Sequence, residues 1–126
     1  MKKEKKILNE IIAKYNKKYM FLLTEYDTPS AFPEYKVIIL NKSMRDSPND
    51  SYIFSVLHEI GHCETYKKTQ QAVMREFLAT QWAIKEFSKF GIKFKETYME
   101  QWQDYINSFA DKKDLNKYKL NWSLLY

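Results

Sequence analysis

Residues 52–66 read YIFSVLHEIGHCETY, and the five from His58 to His62, His-Glu-Ile-Gly-His, decide how the rest of the chain is read. Residues four apart on an α-helix lie on one face, a turn from each other, so His58 and His62 can offer two imidazoles to one cation with Glu59 beside them. This is the donor set of a zinc site with a base already in place. The metal brings the pKa of a water towards neutrality, and a carboxylate that is not a ligand takes its proton as the water attacks a carbonyl carbon. Both histidines of the 126-residue chain fall inside the motif, and a mostly apolar run from Ile53 to Leu57 leads into it. Two blander readings stand beside this one: an exposed helix carrying solvent-facing histidines, and a closed zinc site that is purely structural.

A catalytic zinc takes three protein ligands and keeps one position open. No histidine is left for the third place, so a carboxylate is expected. Glu64 lies two residues beyond His62 and points away from the imidazoles on a continuous helix; Glu86 sits deep in the next helix, and Glu96 follows its end. Glu76 falls between Val73 and Thr80 on the inward stripe of that helix, where a helix-turn-helix return would bring it against His62. A carboxylate on an apolar stripe needs a reason to be buried, and either zinc or pairing with Arg75 or Lys85 supplies one. Gly61, with Ala79 and Ala83 opposite, would let the two helix backbones approach closely. Cys63 is five residues from His58, about 140° round the helix, and is expected to face away as a small buried residue.

Composition narrows the class. The length suits one domain with its own core, and one cysteine rules out an intramolecular disulfide framework and fits a reducing, cytoplasmic setting. No apolar run reaches the length of a membrane span, and Asn9 and Glu10 break the only stretch resembling a signal sequence. The net charge of +5 resides entirely in residues 1–18, where seven lysines face two glutamates; the remainder carries 14 basic and 14 acidic residues. With Arg45 and Arg75 as the only arginines, little is available for reading bases, and nucleic acid is not expected as a partner.

Along the chain, Ile7, Leu8, Ile11, Ile12 and Tyr15 predict a first amphipathic helix, and the segments Tyr19 to Tyr26 and Tyr35 to Asn41 predict strands. Asp27 to Ser30 with Pro33, and Arg45 to Ser51, read as loops, after which Asp50 or Ser51 would cap the zinc helix. That helix is expected to stop soon after His62. Val73, Phe77, Thr80, Ile84 and Phe87 predict a helix from Gln71 to Phe90 closed by Gly91, and Tyr98 to Phe109 predicts another. The tail from Lys112 to Tyr126 is compatible with a helix. Met74, Trp82, Met99 and Trp102 are expected in the core.

A strand ending in Asn41, a polar loop, the apolar lead-in to HEIGH and then Glu76-Phe77-Leu78-Ala79-Thr80-Gln81-Trp82-Ala83 resemble the ImmA/IrrE family of metallo-endopeptidases among the HExxH zincins. The resemblance covers about Tyr35 to Phe87. It implies an α+β, zincin-like domain spanning residues 1–126, with a small N-terminal β-sheet, an active-site helix and a helical C-terminal half. It also implies Zn2+ held by His58, His62 and Glu76, with Glu59 as general base. The substrate implied is a protein cut at a specific bond, such as a helix-turn-helix repressor of a phage or mobile element. Thr80 stands where the family usually has Asn, and the DNA-binding or sensory domain of longer members is not in this chain; a SprT-like pattern would need a third histidine. The strand from Tyr35 to Asn41 resembles the edge strand on which zincins hold an extended peptide. The oxyanion donor is open among Tyr66, Tyr98 and Arg75. A catalytically silent metal-binding module and a basic DNA-associated protein are the competing classes.

Overall fold

In the computed structural model, which describes residues 2–26, 28–115 and 117–121, the first apolar stripe folds as α1 (Lys3–Tyr15) and buries Ile7, Leu8, Ile11 and Tyr15. Two of its neighbouring lysines have structural partners: Lys14 pairs with Glu86 and Lys18 with Glu64. The chain then forms β1 (Met20–Thr24), β2 (Ser30–Phe32) and β3 (Val37–Asn41) in the spatial order β1-β3-β2. β1 runs parallel to β3, pairing Met20 with Val37, and β2 runs antiparallel, pairing Phe32 with Val37. Ile38 and Leu40 turn inward and are buried, whereas Met20, Leu22 and Phe32 remain exposed on the opposite face.

Three expectations need correcting here. The stretch read as a loop at Ser30 and Pro33 contains β2 and a 3-10 turn, Pro33–Tyr35, while Asp27 lies outside the described residues. β3 is the central strand rather than an edge, because β1 and β2 take both of its sides, and it starts at Val37 since Tyr35 belongs to the turn. Local alternation cannot tell a central strand from an edge strand when all the strands are short. The segment read as a loop from Arg45 opens inside a short helix, α2 (Lys42–Asp46). Asn41 starts that helix by accepting from the Met44 amide at 2.8 Å, and its own amide group donates to the Tyr26 carbonyl at 2.8 Å.

α3 (Asp50–Glu64) carries HEIGH and is capped by Asn49, one residue before the expected position; the Asn49 side chain accepts from the Tyr52 amide at 2.8 Å. It buries Ile53, Phe54, Val56, Leu57 and Ile60, each contributing roughly 1.5–3 kcal/mol relative to exposure. α4 (Ala72–Lys89) turns back along it and ends before Gly91, whose φ of +76° is the left-handed value that stops a helix. Ile92 and Phe94 bury the connection, and α5 (Glu96–Asn107) closes the core through Met99 and Ile106.

Gln103 of α5 pins the tail, donating to the Tyr118 carbonyl at 2.9 Å and accepting from the Leu120 amide at 2.7 Å. A helical tail is therefore corrected for the described part: after one 3-10 turn, Lys112–Asp114, the chain to residue 121 is not helical. Residues 116 and 122–126 lie outside the described residues. The fold is thus α+β, with a three-stranded sheet and five α-helices among the described residues. Among the described residues no helix is long and apolar enough to cross a membrane.

Candidate metal centre

Three side chains on two helices converge. His58 is buried and His62 half-buried on one face of α3, their ring centroids 4.6 Å apart. Glu76, one turn into α4, brings Oε2 to 3.3 Å from His58 Nε2 and 2.9 Å from His62 Nε2. The reach depends on Gly61: α3 and α4 lie so close that a Cβ built there would stand 2.6 Å from the Ala79 carbonyl oxygen. No ion pair joins Glu76 to Arg75 or Lys85 among the described residues; its ion-pair contacts are with the two imidazoles. The other candidate carboxylates are engaged elsewhere, Glu64 by Lys18 and Tyr19, and Glu86 by Tyr15, Lys14 and Lys89. Glu96 opens α5.

The donors suit a cation. Zinc arms of about 2.0–2.2 Å give a tetrahedral edge of about 3.3–3.5 Å, close to the His58–Glu76 separation and a few tenths above the His62–Glu76 one. His58 Nε2 is buried and, although Glu76 Oε2 lies 3.3 Å away, makes no well-aligned hydrogen bond, a shortfall that a cation between the two would relieve. Donor atoms of His58, Glu59 and His62 also lie within 4.8 Å of one another, so proximity alone offers two possible third ligands. Protonation separates them. Burial opposes ionisation of Glu76, but the hydrogen-bonding imidazoles outweigh it and hold the carboxyl down at about 2. Burial pushes Glu59 up to about 7, with His62 pulling it down and Glu76 reinforcing the rise. The anion beside both imidazoles has the charge and placement that a cation ligand needs, whereas the carboxyl poised near neutrality has the proton affinity that suits a base.

The histidines respond oppositely. Burial lowers the His58 pKa despite Glu76, whereas at His62 the Glu76 carboxylate, helped by Glu59, overcomes burial and raises it.

Glu59 looks into two clefts. The larger, about 400 Å³, is walled by Ala31, Pro33, His62, Tyr66 and Arg75. The smaller, about 280 Å³, is walled by Thr28, Pro29, His58, Trp102 and Tyr105. β2 therefore occupies the position beside the site that the sequence reading gave to β3. Of the three expected oxyanion donors, Tyr98 lines neither cleft and packs on Phe94, with ring centroids 5.8 Å apart. Tyr66 lines the larger cleft, but its hydroxyl donates to Glu34 at 2.7 Å, and Arg75 donates to the Lys68 carbonyl at 3.1 Å.

Tyr105 was missed. Its hydroxyl is pushed up to about 12, by burial first and then by the charges of Glu76 and Glu59 and a hydrogen bond to Glu76. Trp102, expected simply in the core, packs its ring 4.5 Å from that of His58. The signal was an aromatic stripe, Tyr98, Trp102, Tyr105 and Phe109, at helical spacing. Cys63 is half-buried and burial pushes its thiol up to about 11, so it is not a ready nucleophile. Comparison of the chain with protein-family models, with curated proteins and with solved structures found no match.

Proposed function

We propose that this chain is a zinc-dependent endopeptidase of the zincin type, akin to the ImmA/IrrE family, that cuts a specific protein substrate. The observation that carries the reading is the convergence of His58, His62 and Glu76 on one point, with an unliganded Glu59 beside it facing two clefts. The order of sheet, HEIGH helix and carboxylate-bearing helix supports the zincin-like fold. The family resemblance extends the proposal to a transcriptional repressor of a phage or mobile element as substrate.

His58, His62 and Glu76 would hold the zinc, which when bound supplies a Lewis acid for the scissile carbonyl and acidifies a water. Glu59 accepts the proton of that water and returns it to the departing amine, a task matched to a carboxyl poised near neutrality. Tyr105 donates its hydroxyl hydrogen to the oxygen of the tetrahedral intermediate, and its elevated pKa keeps that hydrogen in place. β2, at the sheet edge and lining the larger cleft through Ser30 and Ala31, offers backbone groups to an extended peptide.

Incubating the zinc-loaded chain with repressor proteins encoded beside it, and reading new termini by mass spectrometry, tests the activity. One zinc-dependent cut supports it; substrates left intact under all these conditions contradict it. Within the mechanism, Tyr105→Phe is expected to lower kcat about a hundredfold with little change in KM, since the bond forms only in the transition state. An unchanged kcat would remove Tyr105 from the mechanism.

A further inference from the structure

The two clefts beside Glu59 differ in charge. The smaller has an aromatic wall, whereas the larger holds Arg75, the one Arg or Lys among its lining residues. A shallower depression shares Ala31, Pro33, Tyr66 and Arg75 with the larger cleft, so Arg75 stands where the two adjoin. Its guanidinium lies over the Tyr66 ring, 6.0 Å from the centroid, and one Nη donates to the Lys68 carbonyl. Its Nε is buried and has no hydrogen-bond partner. Among the described residues no ion pair includes Arg75; Glu76 is held by the two imidazoles and Glu34 by the Tyr66 hydroxyl.

A guanidinium held in place by a ring and a carbonyl, and lining the cleft, keeps further N–H donors with which a carboxylate forms charge-assisted hydrogen bonds. The other carboxylates of this cleft, Glu59 and Glu76, stand beside His62 at the candidate metal centre, where a bound dication would offset their charge. The first turn of α4, which reaches this cleft at Ala72, contains no acidic residue to repel an anion.

We propose that this cleft is a substrate subsite in which Arg75 binds a carboxylate of the peptide, so that the chain selects proteins with an acidic residue beside the bond it cuts. The inference rests on the peptidase reading and deepens it. A carboxylate can reach Arg75 from an Asp or Glu side chain or from a chain terminus, and endopeptidase cleavage favours the side chain.

Short peptides with a hydroxamate at one end or the other test it by binding alone. The residue nearest the hydroxamate is Glu, Gln or Lys with the ends otherwise blocked, and one further Gln peptide keeps a free C-terminal carboxylate. Affinities are measured by calorimetry on the zinc-loaded chain. In one of the two polarities the Glu peptide is expected to bind about tenfold or more tightly than its Gln isostere. Arg75→Gln should erase that ratio, Arg75→Lys should keep part of it, and Arg75→Glu should favour the Lys peptide. Equal affinity for Glu and Gln peptides in both polarities, with the hydroxamate still bound, overturns the subsite and leaves the metal centre standing. A gain confined to the free carboxylate overturns selection by an acidic side chain. Failure of acetohydroxamate itself to bind overturns the metal centre and the subsite together.

Discussion

Glu59→Gln is expected to keep zinc and fold while lowering hydrolysis by about a thousandfold or more. Gln has nearly the same shape but cannot accept the proton of the attacking water, and general-base catalysis is worth about 10²–10⁴ in rate. With Glu59 proposed as the base and Glu76 as the ligand, metal stoichiometry should not follow activity. A second consequence concerns the metal-free protein. Burial raises the folded-state pKa of Glu59 to about 7 from an ordinary 4.5. The unfolded chain therefore releases this proton near pH 4.5 and the folded chain only near pH 7. Between those values the folded state binds more protons, so the contribution of this group to stability falls as pH rises, by up to about 3 kcal/mol. Gln carries no such loss. With chelator present, Glu59→Gln should match the native chain at pH 4 and exceed it in stability at pH 8; identical pH profiles of unfolding would contradict a buried, unliganded Glu59.

Gly61→Ala carries the second large effect. In an isolated helix the change would help by about 1 kcal/mol, since glycine costs backbone entropy. Here the added Cβ would lie 2.6 Å from the Ala79 carbonyl oxygen, and that oxygen belongs to the backbone of α4 and cannot swing aside. The helices must separate, and overpacking of this kind costs about 1–3 kcal/mol or more. The expected result is net destabilisation by about 2 kcal/mol, a fall in Tm of about 5–10 °C, with weaker zinc binding because Glu76 retreats from His62. A variant as stable as the native chain, with unaltered zinc affinity, would show that the close helix approach does not position the ligands.

How far these conclusions were visible in the sequence depends on range. HEIGH fixes His58, Glu59 and His62 on one helical turn by local geometry, and the stripe around Val73 and Thr80 puts Glu76 on the inner face of the next helix. The small residues Gly61 and Ala79 anticipated the close approach of α3 and α4, because steric demand at a crossing is written in side-chain size. Which strand lies at the edge was not legible, since the order β1-β3-β2 is set by pairing between segments rather than within them. β2 is three residues long and sits among turn-forming residues, too short for alternation to register. Tyr105 was hidden for a related reason: its aromatic stripe runs along α5 beside the buried Met99 and Ile106, but only the third dimension brings that stripe to His58.

The metal site itself is the claim on which the rest depends, and zinc content measured by elemental analysis on protein purified without chelator, native beside Glu76→Ala, tests it most directly. One zinc per native chain is expected, with a large loss of affinity in the variant, where His58 and His62 would keep two ligand positions but lack the third. A native chain free of zinc, or a variant that holds zinc as tightly as the native chain, would contradict a centre built from His58, His62 and Glu76.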